Sequence, residues 1–189
     1  MPRVKPEAPR QERSDRPAPT DLEAHPAVVG LWEEVFSREN LAAALRRVER
    51  NAGAAGTDGM TVKELRRWLH GHWPEVRSRL DAGTYRPLPV RRVTIPKPDG
   101  GERELGVPTV LDRLIQQAVA QALGPVFDPG FSGRSFGFRP GRSAHQAVRR
   151  ARADIADGLG WAVDIDLDRF FDRVCHDRLM ARIAVRVHD

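Results

Sequence analysis

Cysteine is almost absent from this chain: Cys175 is the single one among 189 residues. An internal disulfide is therefore excluded, and the usage fits a reducing cytoplasm. Long apolar runs are missing too. None approaches the roughly 20 residues of a membrane-spanning helix, so no span is expected. The N-terminal residues are charged and proline-rich and lack the apolar segment of a secretory leader. His145 and His176 have no partners at zinc-like spacing and read as helix-start or core histidines. No Walker-type phosphate loop, Ser-His-Asp arrangement or internal repeat is evident. Acidic residues are in deficit: 26 Asp and Glu face 31 Lys and Arg, a net charge of +5.

That surplus is mainly arginine, whose planar fork of donors matches phosphate oxygens. A polyanion is the natural partner, nucleic acid before membrane. A GC-rich genome accounts for arginine in place of lysine but not for the excess over acid. The length allows one domain or a little more, able to bury roughly 70% of its unfolded surface. Hydrophobic residues make up 40%, low enough to expect polar tails or an extended binding face.

Residues 1–25 are proline-rich and charged and should form a disordered tail. Apolar spacing predicts a short helix from Pro26 to Phe36 and a second after Ser37, through Leu41, Ala44, Leu45 and Val48. The Gly53–Gly59 loop leads to a capping box, Thr61 with Glu64, and a helix carrying Leu65, Trp68 and Leu69. Another short helix is expected to enter at Pro74 and end near Gly83. Val90, Val93, Ile95, Leu105 and Val107 flank Pro98-Asp-Gly-Gly101, which reads as a β-hairpin. Leu111, Leu114, Ile115, Ala118, Val119 and Ala122 then follow the period of a buried helix. After an irregular glycine-rich stretch, Ser143 and Gln146 form a second capping box. The helix it opens leads into an acidic strand, and a last helix runs through Leu179, Met180 and Ile183.

Three constellations bear on chemistry. In Trp161-Ala-Val-Asp-Ile-Asp-Leu-Asp-Arg-Phe-Phe-Asp172, the carboxylates of Asp164, Asp166 and Asp168 alternate. An extended strand would bring them to one face. Such like charges call for a cation, either a divalent metal with hard oxygen ligands or the nearby Arg169 and Arg173. On the hairpin, Lys97 and Arg103 sit on opposite arms of one turn. They could clamp a triphosphate, or serve as edge charges that discourage aggregation, the commoner case on pattern alone. Third, the Phe131–Ser143 segment interleaves aromatics with Arg134, Arg139 and Arg142. It could stack on bases and grip phosphates, or be an ordered loop with Phe136 and Phe138 packed beneath it.

Taken in order, these segments resemble the N-terminal half of a group II intron reverse transcriptase/maturase over residues 27–189. Gly56-Thr-Asp-Gly-Met-Thr61 looks like the extension before the fingers. Ile95-Pro-Lys-Pro-Asp-Gly-Gly101 with Leu105–Gln117 looks like the first fingers motif, and Ser135–His145 like the second. Asp164–Asp172 looks like polymerase motif A.

The resemblance implies an α+β fold: fingers and the first part of the palm of a right-hand polymerase, after a helical extension. The expected division is a tail (1–25), the extension (26–84), fingers (85–158) and the start of the palm (159–189). It implies that Asp166 is the catalytic aspartate holding Mg2+, or Mn2+, with help from the backbone of Ile165. Lys97 and Arg103 would bind the incoming deoxynucleoside triphosphate, and Phe171 would exclude a ribose 2′-hydroxyl. Arg91, Arg139 and Arg142 would touch nucleic acid, an RNA template or intron RNA with a DNA primer. The chemistry is two-metal nucleotidyl transfer.

The Tyr-Ala-Asp-Asp segment of that family does not occur here, where Tyr85 is the only tyrosine. The expectation is thus an RNA-directed DNA polymerase fragment that breaks off inside a domain and is inactive alone. A noncatalytic intron RNA-binding module and a retroelement remnant are the alternatives. The unpaired edge of the acidic strand leaves homodimerisation open.

Overall fold

The computed structural model describes residues 28–98, 100–167 and 169–189. The expected tail at 1–25, the first residues of the predicted helix at Pro26, Asp99 of the hairpin turn and Asp168 lie outside them.

Among the described residues a helical body carries one hairpin. In order the elements are α1 (Leu31–Val35), α2 (Arg38–Asn51), α3 (Val62–Asp81), β1 (Arg91–Pro96) and β2 (Glu102–Val107). They continue with α4 (Val110–Phe127), a 3-10 turn (Asp128–Gly130), α5 (Ala144–Ala156), α6 (Phe170–Arg173) and α7 (His176–Ala184). Helices with one small antiparallel sheet make the fold α+β.

The core is built around α4. Its buried Val110, Leu114, Ala118 and Ala122 meet Ala44, Leu45 and Val48 of α2 and Leu65, Val76 and Leu80 of α3. The alanines at 44, 118 and 122 let the α2 and α4 backbones approach closely. Burying a leucine such as Leu65 or Leu114 contributes about 2 kcal/mol. Asn40 ties the pair together by donating to the carbonyls of Val35 and Ala118 and accepting from Gln121.

Both capping boxes sit where their spacing puts them. Glu64 accepts from the Thr61 amide at 2.8 Å, and Gln146 from the Ser143 amide at 2.9 Å. Pro74 does not open a helix, however. It lies inside the 20-residue α3. A proline interrupts the hydrogen-bond ladder and crowds the preceding turn. Here the apolar face continues through it, from Leu65 and Leu69 to Trp73, Val76 and Leu80, and burial of that face offsets the lost bond.

The first helix is shorter than its periodicity suggests. Gly30, at φ 75°, turns the chain into α1. The Asp189 carboxylate accepts from the amides of Gly30 and Trp32, each at 2.6 Å. An anion there satisfies amides that the helix cannot. Val28 bridges Val187 in parallel alongside.

The acidic strand is the main departure. Residues 161–167 have no regular structure and are exposed throughout. A strand needs neighbours to satisfy its amides and carbonyls. Among the described residues β1 and β2 pair only with each other, and nothing is offered to this segment. Helices α5, α6 and α7 on either side of it bury no residue.

Candidate nucleotide and nucleic-acid interface

The hairpin register sets the geometry. Arg91 faces Val107, Val93 faces Leu105, and Ile95 faces Arg103. One further rung joins the Lys97 amide to the Gly101 carbonyl at 3.0 Å. Gly100 and Gly101, at φ 82° and 91°, make the turn that L-residues with side chains resist. Alternation therefore puts Arg91, Val93, Ile95 and Lys97 on one face with Arg103, Leu105 and Val107. Lys97 and Arg103 are diagonal neighbours at the tip, both exposed, and Arg91 lies on the same face at the base. Three cations expected from the sequence thus share one surface, with an apolar stripe between tip and base.

Arg91 also reaches sideways, its Nε donating to the Ala55 carbonyl at 2.9 Å. The loop before α3 is fixed to the hairpin base in this way. Thr57 Oγ1 adds a bond to the Pro89 carbonyl at 2.9 Å.

The arginine-rich segment after α4 divides its labour. Arg139 is held by Asp128 through Nε at 2.7 Å and Nη2 at 3.1 Å. It also donates to the carbonyls of Asp128, Ser132 and Ser135. Its side chain is only 9% exposed and lies over the Phe131 ring. These bonds hold the Asp128 carboxyl below the usual carboxylate range. Arg142 remains exposed, 5.6 Å above the Phe136 ring centroid.

Phe136 is half-buried, whereas Phe138 is not packed under the loop. It is fully exposed at φ 56°, a left-handed conformation that costs a bulky residue energy. The Arg139 contacts and the following Pro140 fix the chain on its C-terminal side, so Phe138 takes up the turn.

In the acidic segment the Asp166 carboxylate accepts a local bond, from the Leu167 amide at 2.9 Å. Ile165 and Asp164 are exposed beside it. Phe171, 88% exposed, meets Phe170 at a tilt, with ring centroids 5.7 Å apart and planes at 57°. Arg169, at φ 49°, stands at the N-cap position just before α6, with no side-chain capping bond. Among the described residues no three His, Cys, Asp or Glu side chains converge as a metal ion requires. The hard oxygens of Asp164 and Asp166 suit Mg2+ or Mn2+ in donor chemistry. No helix among these residues is long and apolar enough to cross a membrane.

Two clefts open elsewhere. One of about 850 Å3 runs along α3 and is lined by Arg67, Trp68, His72, Arg79 and Tyr85. The other, about 370 Å3, lies between α2 and α3. Neither includes a residue predicted for the site. The sequence reading also missed a buried polar cluster behind the hairpin. Asp112, 3% exposed, accepts from Tyr85 Oη and Thr109 Oγ1, both at 2.7 Å. Burial, and then this bond, push the Tyr85 hydroxyl above its ordinary value. The signal was present: Thr109 and Asp112 have capping-box spacing at the start of an apolar period.

Parts of this chain are similar to known proteins. Residues 95–188 match the family described as reverse transcriptase (RNA-dependent DNA polymerase). The chain is 37% identical over 153 residues to Protein YkfC of Escherichia coli (strain K12), covering 78% of this chain and 40% of that protein. It is 40% identical over 111 residues to the group II intron-encoded protein LtrA of Lactococcus lactis subsp. cremoris, covering 58% of this chain and 18% of LtrA. Nuclear intron maturase 1, mitochondrial, of Arabidopsis thaliana is 36% identical over 82 residues, 43% of this chain and 11% of that protein. The chain therefore spans less than half the length of each of these relatives. By its residues 95–188 the chain belongs to the reverse transcriptase family, in the company of group II intron-encoded proteins and intron maturases.

Proposed function

We propose that this chain supplies the fingers and the beginning of the palm of an RNA-directed DNA polymerase of the group II intron type. The observation that carries the reading is the shared hairpin face of Arg91, Lys97 and Arg103. Two cations at its tip suit the triphosphate of an incoming deoxynucleotide, and the basal one suits a template phosphate. Residues 26–84 then form the extension, 85–158 the fingers and 159–189 the start of the palm, with 1–25 as a tail.

Asp166, with the Ile165 backbone, would hold a divalent ion, Mg2+ or Mn2+, which when bound supplies positive charge for phosphoryl transfer. Phe171 would lie under the sugar and reject a 2′-hydroxyl. Arg139 would act indirectly, holding the loop that presents Arg142 to RNA.

Asp166 needs a second carboxylate from elsewhere in the palm to hold its ion well. The 189 residues alone are therefore expected not to extend a primer. Primer extension on an RNA template, with Mg2+ and with Mn2+, tests this; product from the chain alone sinks it.

A second reading, RNA binding without catalysis, is favoured by α5. That helix buries nothing and exposes Arg149, Arg150 and Arg152. Titrating RNA affinity with salt examines it. A phosphate-tracking face should lose affinity steeply as salt rises, and a flat response excludes it.

A further inference from the structure

A two-stranded ribbon has no core of its own, so its direction is decided where it joins the body. Here the joint is one buried carboxylate. Asp112 accepts from Tyr85 Oη at 2.7 Å and from the Leu88 amide at 3.3 Å, both on the chain entering β1. It accepts from Thr109 Oγ1 at 2.7 Å on the chain leaving β2, and its own amide donates back to that hydroxyl at 3.1 Å. On the other side the Gly53–Thr57 loop is fastened by three bonds. Arg113 donates to the Ala54 carbonyl, Arg91 to the Ala55 carbonyl, and Thr57 to the Pro89 carbonyl. Both feet of the hairpin are thus held by Asp112, and its base is braced by the Gly53–Thr57 loop.

We propose that Asp112 is a positioning residue that sets the angle of the hairpin and so aims Lys97 and Arg103. The proposal rests on the reading of those two cations as triphosphate ligands. The lever is long: six strand residues reach roughly 20 Å, so a tilt of about 15° at the base moves the tip by about 5 Å. Hydrogen bonding to a phosphate tolerates far less. A carboxylate deprived of one donor while buried is left unsatisfied, and the joint loosens.

The test uses the full chain with Cys175→Ser and spin labels at Glu102→Cys on the hairpin and Ser78→Cys on α3, both exposed positions. The parent should give one narrow distance. Tyr85→Phe and Asp112→Asn should broaden or shift it while helical circular dichroism is retained. Affinity for deoxyguanosine triphosphate with Mg2+ should fall about tenfold. Should Asp112→Asn fail to fold, Tyr85→Phe, which removes one donor and keeps the ring, decides. An unchanged distance in the folded variants overturns the proposal. So does a broadened distance with unchanged triphosphate affinity when Lys97→Ala weakens it; the cation reading then survives alone. If Lys97→Ala and Arg103→Ala leave affinity unchanged, the cation reading falls, and with it the claim that Asp112 aims those two residues.

Discussion

Arg139 and Asp128 form a two-pronged ion pair, with nitrogen–oxygen distances of 2.7 and 3.1 Å, at the root of the loop that carries Arg142. Arg139 is the loop's main anchor, whereas Arg142 is exposed and makes one long bond within it, to the Gly133 carbonyl at 3.3 Å. Arg139→Ala should make residues 131–142 sensitive to protease, and Arg139→Lys should not restore resistance, because an ammonium cannot reproduce the fork. Arg142→Ala should leave cleavage unchanged and weaken RNA binding several-fold. Limited proteolysis beside an RNA-binding titration separates the two.

Gly56 touches the backbone at the hairpin base. A Cβ there would come within 2.6 Å of Thr109 Cα and 2.7 Å of its nitrogen, and neither can swing away. Gly56→Ala should cost about 1–3 kcal/mol in a urea melt. An unaltered midpoint would mean that the loop shifts freely.

Stability should fall at both extremes of pH. Hydrogen bonds from Arg66, Thr61, Arg77 and Arg139 respectively lower Glu49, Glu64, Asp81 and Asp128. What these carboxylates contribute is present above their ordinary values of 4.5 and 3.8, and is lost as pH falls through the lowered ones. Tyr85 is shifted the other way. Its contribution is complete below 10.0 and lost as pH rises toward its raised folded value. Urea midpoints should decline on the acid side, and on the alkaline side less steeply in Tyr85→Phe than in the parent.

Lys97→Ala and Arg103→Ala should each reduce triphosphate affinity about tenfold, the scale of one charge-assisted hydrogen bond. Isothermal titration with a deoxynucleoside triphosphate and Mg2+ measures this. Neither change should move the urea midpoint, since both side chains are exposed.

The segment between α5 and α6 presents Trp161, Val163, Ile165 and Leu167 to water, with Trp161 96% exposed. A β-prone apolar stretch of this kind seeks a partner. Light scattering should therefore show concentration-dependent association, which Val163→Asp suppresses.

The elements that local chemistry specifies were legible in the sequence. Thr61 with Glu64 and Ser143 with Gln146 announce their helices because the bonds close within four residues. The hairpin follows from its glycine turn, and α4 from its period. Pro74 misled because its local effect opposes a helix, while the apolar face that carries α3 past it is a tertiary fact. The acidic strand misled for the opposite reason: its composition favours extension, but pairing depends on neighbours the described residues do not offer. For the candidate site, Lys97 and Arg103 were readable as a pair. Their common face with Arg91 required the register. Asp112 was passed over because an acidic residue at the start of a helix looks like a solvated cap until its burial is known.

The carboxylate that completes the start of α1 belongs to Asp189, and Val28 is zipped to Val187 beside it. The start of α1 is thus completed by a carboxylate 157 residues further along the chain, which takes the place of water on those exposed amides. Once the clasp closes, residues 28 and 187 leave from the same spot. A short linker across it, with a new opening in the exposed stretch before α6, should yield a circularly permuted protein that keeps the α2–α4 core.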